Sequence, residues 1–295
     1  QLEQGMVGGV IDLGLERTRA VKERLNLAPN CPLVIVGGTN GKGSVCAFLT
    51  QMYVQAGYKV GTLTSPHLQH YNERIAINGV PSSDEQIITS FERIQAACKD
   101  DIALTYFEYN VLAAVDVFDR ANVDVMVLEV GMGGRLDAVN VFDADVTVVT
   151  SVDVDHQAFL GDNIEQIAFE KAGIFRAGIP AIVGEPDMPL TIAEVAAEKG
   201  AQLYRRGDDW NFSATPRDWQ WQDADTTWSH LPLPKVPLPN AATALAALRH
   251  CDLKVDEAAI RQGLETAQLP GRFQIVSEQP LLILDVAHNP HAAGY

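Results

Sequence analysis

The sequence predicts an α/β protein built on a mostly parallel central sheet, and three observations predict it. Residues 33–36 form a short apolar, β-branched run that leads into a glycine-dense turn and then a helical pattern. Two further apolar runs, 124–130 and 146–150, have the length and β-branched content of buried strands. Residues 181–183, 191–199 and 202–204 then read as strand, helix and strand.

Composition narrows the function classes. A chain of 295 residues holds one large domain, or a domain plus a second one. Hydrophobic residues make up 47%, yet no apolar run approaches the ~20 residues that span a bilayer. The opening residues are also too polar for a secretory signal, so a soluble, cytoplasmic protein is expected, with no membrane partner. A net charge of −16 argues against a nucleic-acid partner and requires that anionic substrates be met by local positive charge. Cys31, Cys46, Cys98 and Cys251 form no Cys-x-x-Cys pair, which points away from a zinc site or a disulfide framework.

In chain order, Asp12, Leu13, Gly14 and Leu15 lead into a helical pattern that runs to Leu25. After the first strand, Gly-Gly-Thr39-Asn40-Gly41-Lys42-Gly43-Ser44 has the make-up of a phosphate cradle. Loop amides and a helix N-terminus face the anion, Lys42 brings a point charge to the β- and γ-phosphates, and Ser44 orients Mg²⁺. Strict Walker spacing does not hold, because Gly43 separates Lys42 from Ser44. Residues 59–63 read as the second strand, with Ser65 in the Thr-Ser-Pro-His-Leu loop at its C-terminal end, where open α/β sheets place ligands. Residues 73–78 with the Asn78-Gly79 turn suggest a hairpin, and 84–97 an amphipathic helix. Thr105, Tyr106, Phe107 and Glu108 open another helix.

Glu129 ends the most convincing buried strand. A carboxylate set in Val-Met-Val-Leu-Glu-Val is costly to bury without a cation, so it reads as a metal ligand or as a Walker-B-like acid. The 146–150 strand leads to Asp155 and His156. Lys171 lies on a helix over 164–175 among apolar neighbours, where desolvation favours a neutral amine able to react with CO₂. All four tryptophans fall between 208 and 230, in alternating segments that read as an accessory antiparallel sheet over about 205–232. Four prolines stiffen the connector that follows, and Asn240 is expected to cap an Ala- and Leu-rich helix. Arg272 offers a guanidinium fork for phosphate, and Asp285 ends a last strand near His288 and Asn289.

The Gly-Thr-Asn-Gly-Lys-Gly-Ser loop resembles that of the ATP-dependent Mur-type amide ligases, in particular the folylpolyglutamate synthase/dihydrofolate synthase family. Thr-Ser-Pro-His-Leu, Thr-x-Phe-Glu, Glu-Val-Gly-Met-Gly-Gly and Asp-His occur in that family's order. The resemblance implies a Mur-ligase-like ATPase domain over 1–278, with 279–295 as linker and truncated start of a second α/β, C-terminal domain. It implies glutamate ligation to dihydropteroate or a reduced folate, driven by ATP, in a monomer. Asp12, Leu13, Gly14, Leu15, Thr105, Tyr106, Phe107, Glu108, Leu136, Asp137 and Ala138 would line the substrate side. Thr39 to Ser44, Asn240, Arg272 and Asp285 would hold ATP. One Mg²⁺ is expected near Ser44 and a second on Ser65, Glu129, His156 and a carbamylated Lys171. A Mur peptidoglycan ligase is the rival enzyme reading, and a nucleotide switch the rival from another class.

Overall fold

A computed structural model describes residues 12–154, 160–161, 163–269, 271 and 274–284. Its centre is an eight-stranded sheet in the order β4-β3-β2-β5-β1-β6-β7-β8. Strands β1 (Leu33–Gly37), β2 (Val60–Leu63), β5 (Val125–Glu129), β6 (Val146–Val149), β7 (Pro180–Val183) and β8 (Gln202–Arg205) run parallel. Only β3 (Ile75–Ile77) and β4 (Val80–Pro81) are antiparallel, joined by the hairpin turn that Asn78-Gly79 predicts. All five residues of β1 are buried, because helices cover both faces of the sheet.

Alternation along β1 divides the interior in two. Leu33 and Ile35 join helices α1 (Glu16–Leu25), α3 (Asp84–Cys98), α4 (Tyr106–Arg120), α5 (Ile164–Ala172) and α6 (Leu190–Lys199). Val34 and Val36 face α2 (Lys42–Gln55), α7 (Leu238–Arg249) and α8 (Glu257–Thr266). The two faces therefore have separate hydrophobic cores, with the sheet between them.

The tryptophan-rich segment folds as expected into a three-stranded antiparallel sheet of β9 (Trp210–Ala214), β10 (Trp219–Asp223) and β11 (Thr227–Leu231), with β10 in the middle. Trp221 at its centre is fully buried, and its Nε1 donates to the Ala242 carbonyl on α7 at 3.1 Å. A last hairpin pairs β12 (Gln274–Glu278) with β13 (Leu281–Leu284). Among the described residues, no helix is long and apolar enough to cross a membrane.

One capping expectation is corrected. Asn240 does not cap α7; Pro237 does, and Asn240 is the third helical residue. Proline is tolerated in that first turn because its missing N–H has no intrahelical partner to lose.

Candidate active site

The glycine loop leaves the C-terminal end of β1 at the centre of the sheet and enters α2 at Lys42. Gly41 is the N-cap residue with φ 83°, a left-handed conformation that suits glycine, and it provides no capping side chain. The first-turn amides of α2 thus lie at the loop, the arrangement that attracts phosphate. A Cβ on Gly41 would collide with the side-chain amide of Asn240. Asn240 therefore meets the loop from the first turn of α7, though not through the cap the sequence suggested. Lys42 Nζ donates to the Gly38 and Thr39 carbonyls at 3.0 and 3.1 Å, which holds its ammonium on the loop.

The residues just after β6 brace this loop. Thr39 N donates to the Ser151 carbonyl at 2.9 Å, and Asn40 N to Ser151 Oγ at 2.9 Å. Thr150 Oγ1 donates to the Asn40 carbonyl at 2.5 Å. Thr39 Oγ1 donates to the Asp153 carbonyl at 3.1 Å and accepts from Asp153 N at 3.0 Å. Thr39 is thus committed to the brace, and the contribution of Thr150 and Ser151 was missed by sequence reasoning. Hydroxyl residues at a strand end are the only signal that pointed to them.

Glu129 ends β5, next to β1, and is 4% exposed. Its Oε2 accepts from Ser65 N at 2.9 Å, which ties the Thr-Ser-Pro-His-Leu loop to the strand. A Cβ on Gly43 would lie 3.7 and 3.8 Å from the two carboxylate oxygens, so the acid stands beside the start of α2, where Ser44 is buried. The structure places Glu129, Ser65 and the cradle side by side. Their oxygens are hard donors of the kind Mg²⁺ and Mn²⁺ prefer. Among the described residues no three His, Cys, Asp or Glu cluster for a metal. A single carboxylate with hydroxyls suits an ion that takes much of its coordination from phosphates.

Lys171 lies in the last turn of α5 with 3% exposure. Gly134 packs against the Glu170 and Lys171 carbonyls so closely that a side chain there would clash, which seats the loop after β5 on α5. Arg135 strengthens that seat, donating from Nε and Nη2 to Glu170 Oε1 at 3.0 and 2.8 Å. Asp155, His156, Arg272, Asp285, His288 and Asn289 lie outside the described residues.

The expected substrate wall divides into scaffold and surface. Thr105 caps α4, accepting from Glu108 N at 3.3 Å, and Glu108 Oε2 accepts from Thr105 N at 2.6 Å. Glu108 is buried and also accepts from Arg17 Nε at 3.2 Å. Arg17 in turn pairs with Asp12, so Glu108, 91 residues beyond Arg17, joins those two in one charged chain. Asp137 is buried, with its carboxylate accepting from Gly131, Met132 and Val139 amides at 3.0, 2.9 and 3.0 Å. Burial pushes Asp137 up to about 6, against the pull of those amides and of Lys42. It shapes the loop from inside; Ala138 is buried beside it, and Leu136 is half-buried. Tyr106, Phe107, Leu13, Gly14 and Leu15 remain half-exposed, and a Cβ on Gly14 would meet nothing.

The Mur ligase middle domain family matches residues 36–225. The chain is 57% identical to the dihydrofolate synthase/folylpolyglutamate synthase of Escherichia coli over 286 residues, covering 97% of this chain and 68% of that protein. The Haemophilus influenzae protein of the same name is 43% identical over 302 residues, covering 97% and 69%. Among solved structures, E. coli FolC in complex with DHPP and ADP superposes with a TM-score of 0.95 at 55% identity, covering 98% of this chain and 70% of that one. A bifunctional folylpolyglutamate synthase/dihydrofolate synthase with Mn, AMPPNP and L-glutamate bound gives 0.93 at 52% identity, covering 99% and 71%.

Proposed function

The chain belongs to the dihydrofolate synthase/folylpolyglutamate synthase family of Mur ligases, and from that premise we propose the following course for its ATP-dependent ligation. The carboxylate of dihydropteroate, or the γ-carboxylate of a reduced folate, attacks the γ-phosphorus of ATP and ADP leaves. The resulting acyl phosphate is attacked by the α-amine of L-glutamate. A tetrahedral intermediate collapses to the amide and releases phosphate and a proton. Activation is required because a free carboxylate is a poor electrophile.

The protein's part is positioning and charge neutralisation. Lys42 and the amides at the start of α2 hold the β- and γ-phosphates, while Asn240 closes the loop from the side. Ser44, Ser65 and Glu129 are the described residues that would hold divalent metal, with His156 and a carbamylated Lys171 completing a second position. A divalent metal held by these residues would supply charge neutralisation at the transferring phosphoryl group. The near-complete burial of Lys171 supports the carbamate, since burial favours the neutral amine that reacts with CO₂. The substrate acid enters from the α4 side, past Tyr106 and Phe107. Residues 1–278 form the ATP-binding unit in this reading, with 205–232 as its accessory sheet.

The observation that carries the proposal is the braced glycine loop with the Glu129 carboxylate beside it. The test is ADP release with ATP, Mg²⁺, L-glutamate and dihydropteroate, each omitted in turn. Release that requires both organic substrates supports the scheme. Release only with a tetrahydrofolate in place of dihydropteroate leaves chain extension alone, and no response to either removes the scheme.

A further inference from the structure

Arg74 ends the short 3-10 turn Tyr71–Arg74 and is 8% exposed. A guanidinium taken out of water is costly unless an anion meets it. Arg17, Arg24, Arg93, Arg120, Arg135 and Arg249 each meet a carboxylate. Among the described residues, none pairs with Arg74. The adjacent Glu73 is turned away, its carboxylate accepting from the amides of Leu68, Gln69 and His70.

The guanidinium is nevertheless held in place. Its Nε donates to His67 Nδ1 at 2.7 Å, and it lies over the Tyr106 ring, 5.3 Å from the centroid. Tyr71 packs edge-on against Tyr106 and His67 at 5.9 and 6.1 Å. An aromatic surround of this kind lowers the local dielectric and strengthens any ion pair made inside it. Among the described residues the two Nη groups have no hydrogen-bond partner, and they form the fork that fits a carboxylate.

Its place in the fold selects the ligand. The Arg74 carbonyl accepts from Thr64 N at 3.0 Å, one residue before Ser65, whose amide holds Glu129. Tyr106 begins α4, which packs on the sheet face opposite α2 and its phosphate loop. We infer that Arg74 is a specificity-determining residue that recognises the carboxylate of the organic acid substrate; this rests on the ligase reading above. His67 and Tyr106 are its positioning residues.

The test compares wild type, Arg74→Lys and Arg74→Gln in the full-length protein. Ligation kinetics are joined by equilibrium binding of pteroate and of its neutral carboxamide. The expected result is a KM for dihydropteroate raised about 10- to 100-fold in Arg74→Gln, with KM for ATP unchanged. Wild type should prefer the acid to the carboxamide, Arg74→Gln should lose that preference, and Arg74→Lys should keep part of it. Undiminished acid preference in Arg74→Gln overturns the inference, as does a rise confined to KM for ATP, which would assign the fork to phosphate. Absence of ligation by wild type instead overturns the ligase reading, and the binding comparison still decides the role of Arg74.

Discussion

Lys171 and Asp137 are both buried charged groups, and they call for different tests. Lys171→Ala should abolish ligation, and added bicarbonate should not restore it, because the nitrogen that carries the carbamate is gone; near-normal turnover would remove the carbamate from the mechanism. Asp137 is a matter of folding. Its carboxyl is raised from an ordinary 3.8 to about 6, so the folded state holds its proton longer than the unfolded state does. The stability this contributes is complete below about pH 3.8 and is lost as pH rises through 6. Relative to Asp137→Asn, wild type should therefore lose on the order of 3 kcal/mol between pH 4 and pH 7, read by urea unfolding at each pH. A wild type that instead gains stability relative to Asp137→Asn as pH rises would mean that the three amides outweigh burial. Glu129 was legible in the sequence because a carboxylate in an apolar run is conspicuous. Asp137 was legible only as a member of a motif, since its three amide donors come from a loop whose path no local pattern reveals. Arg74 was not singled out at all, because only the fold shows which arginines lack an acid.

At the scale of elements, the glycine loop depends on α7. Gly41→Ala adds a Cβ at positive φ and drives it into the Asn240 amide. We expect about 1–3 kcal/mol of destabilisation from the backbone conformation and a marked rise in KM for ATP. Asn240→Ala alone should affect KM for ATP with little change in stability. Pairing the two substitutions separates them: if removing the amide restores ATP affinity to Gly41→Ala, the collision was the cause. The order of elements was readable, because β-branched runs, glycine turns and helical spacing are local signals. The start of α7 was misplaced for an equally physical reason. Asn is a strong capping residue, but it follows Pro237-Leu238-Pro239, and the prolines had already set the helical φ.

Across the whole molecule, the accessory sheet is coupled to the nucleotide loop through α7. Trp221 fills the space between them and holds the Ala242 carbonyl. Trp221→Ala should cost ~3–5 kcal/mol, and it should raise KM for ATP by loosening the helix that carries Asn240. Trp221→Phe, which keeps most of the volume, should show the smaller loss on both readouts. An unchanged KM for ATP in a folded Trp221→Ala protein would show that the sheet only adds stability. The sequence displayed four tryptophans in alternating strands but not the surface they seal, which belongs to a helix whose Ala242 lies 21 residues beyond Trp221. The sheet order has a consequence for synthesis on the ribosome. β1 lies between β5 and β6, and Thr39 is braced by Asp153, 114 residues later. At translation speeds of about 5–20 residues per second, the glycine loop emerges on the order of ten seconds before its brace exists. Until β5 emerges a wholly apolar strand has neither neighbour, and the nascent chain offers chaperones a binding segment that is covered as β5 and then β6 leave the exit tunnel.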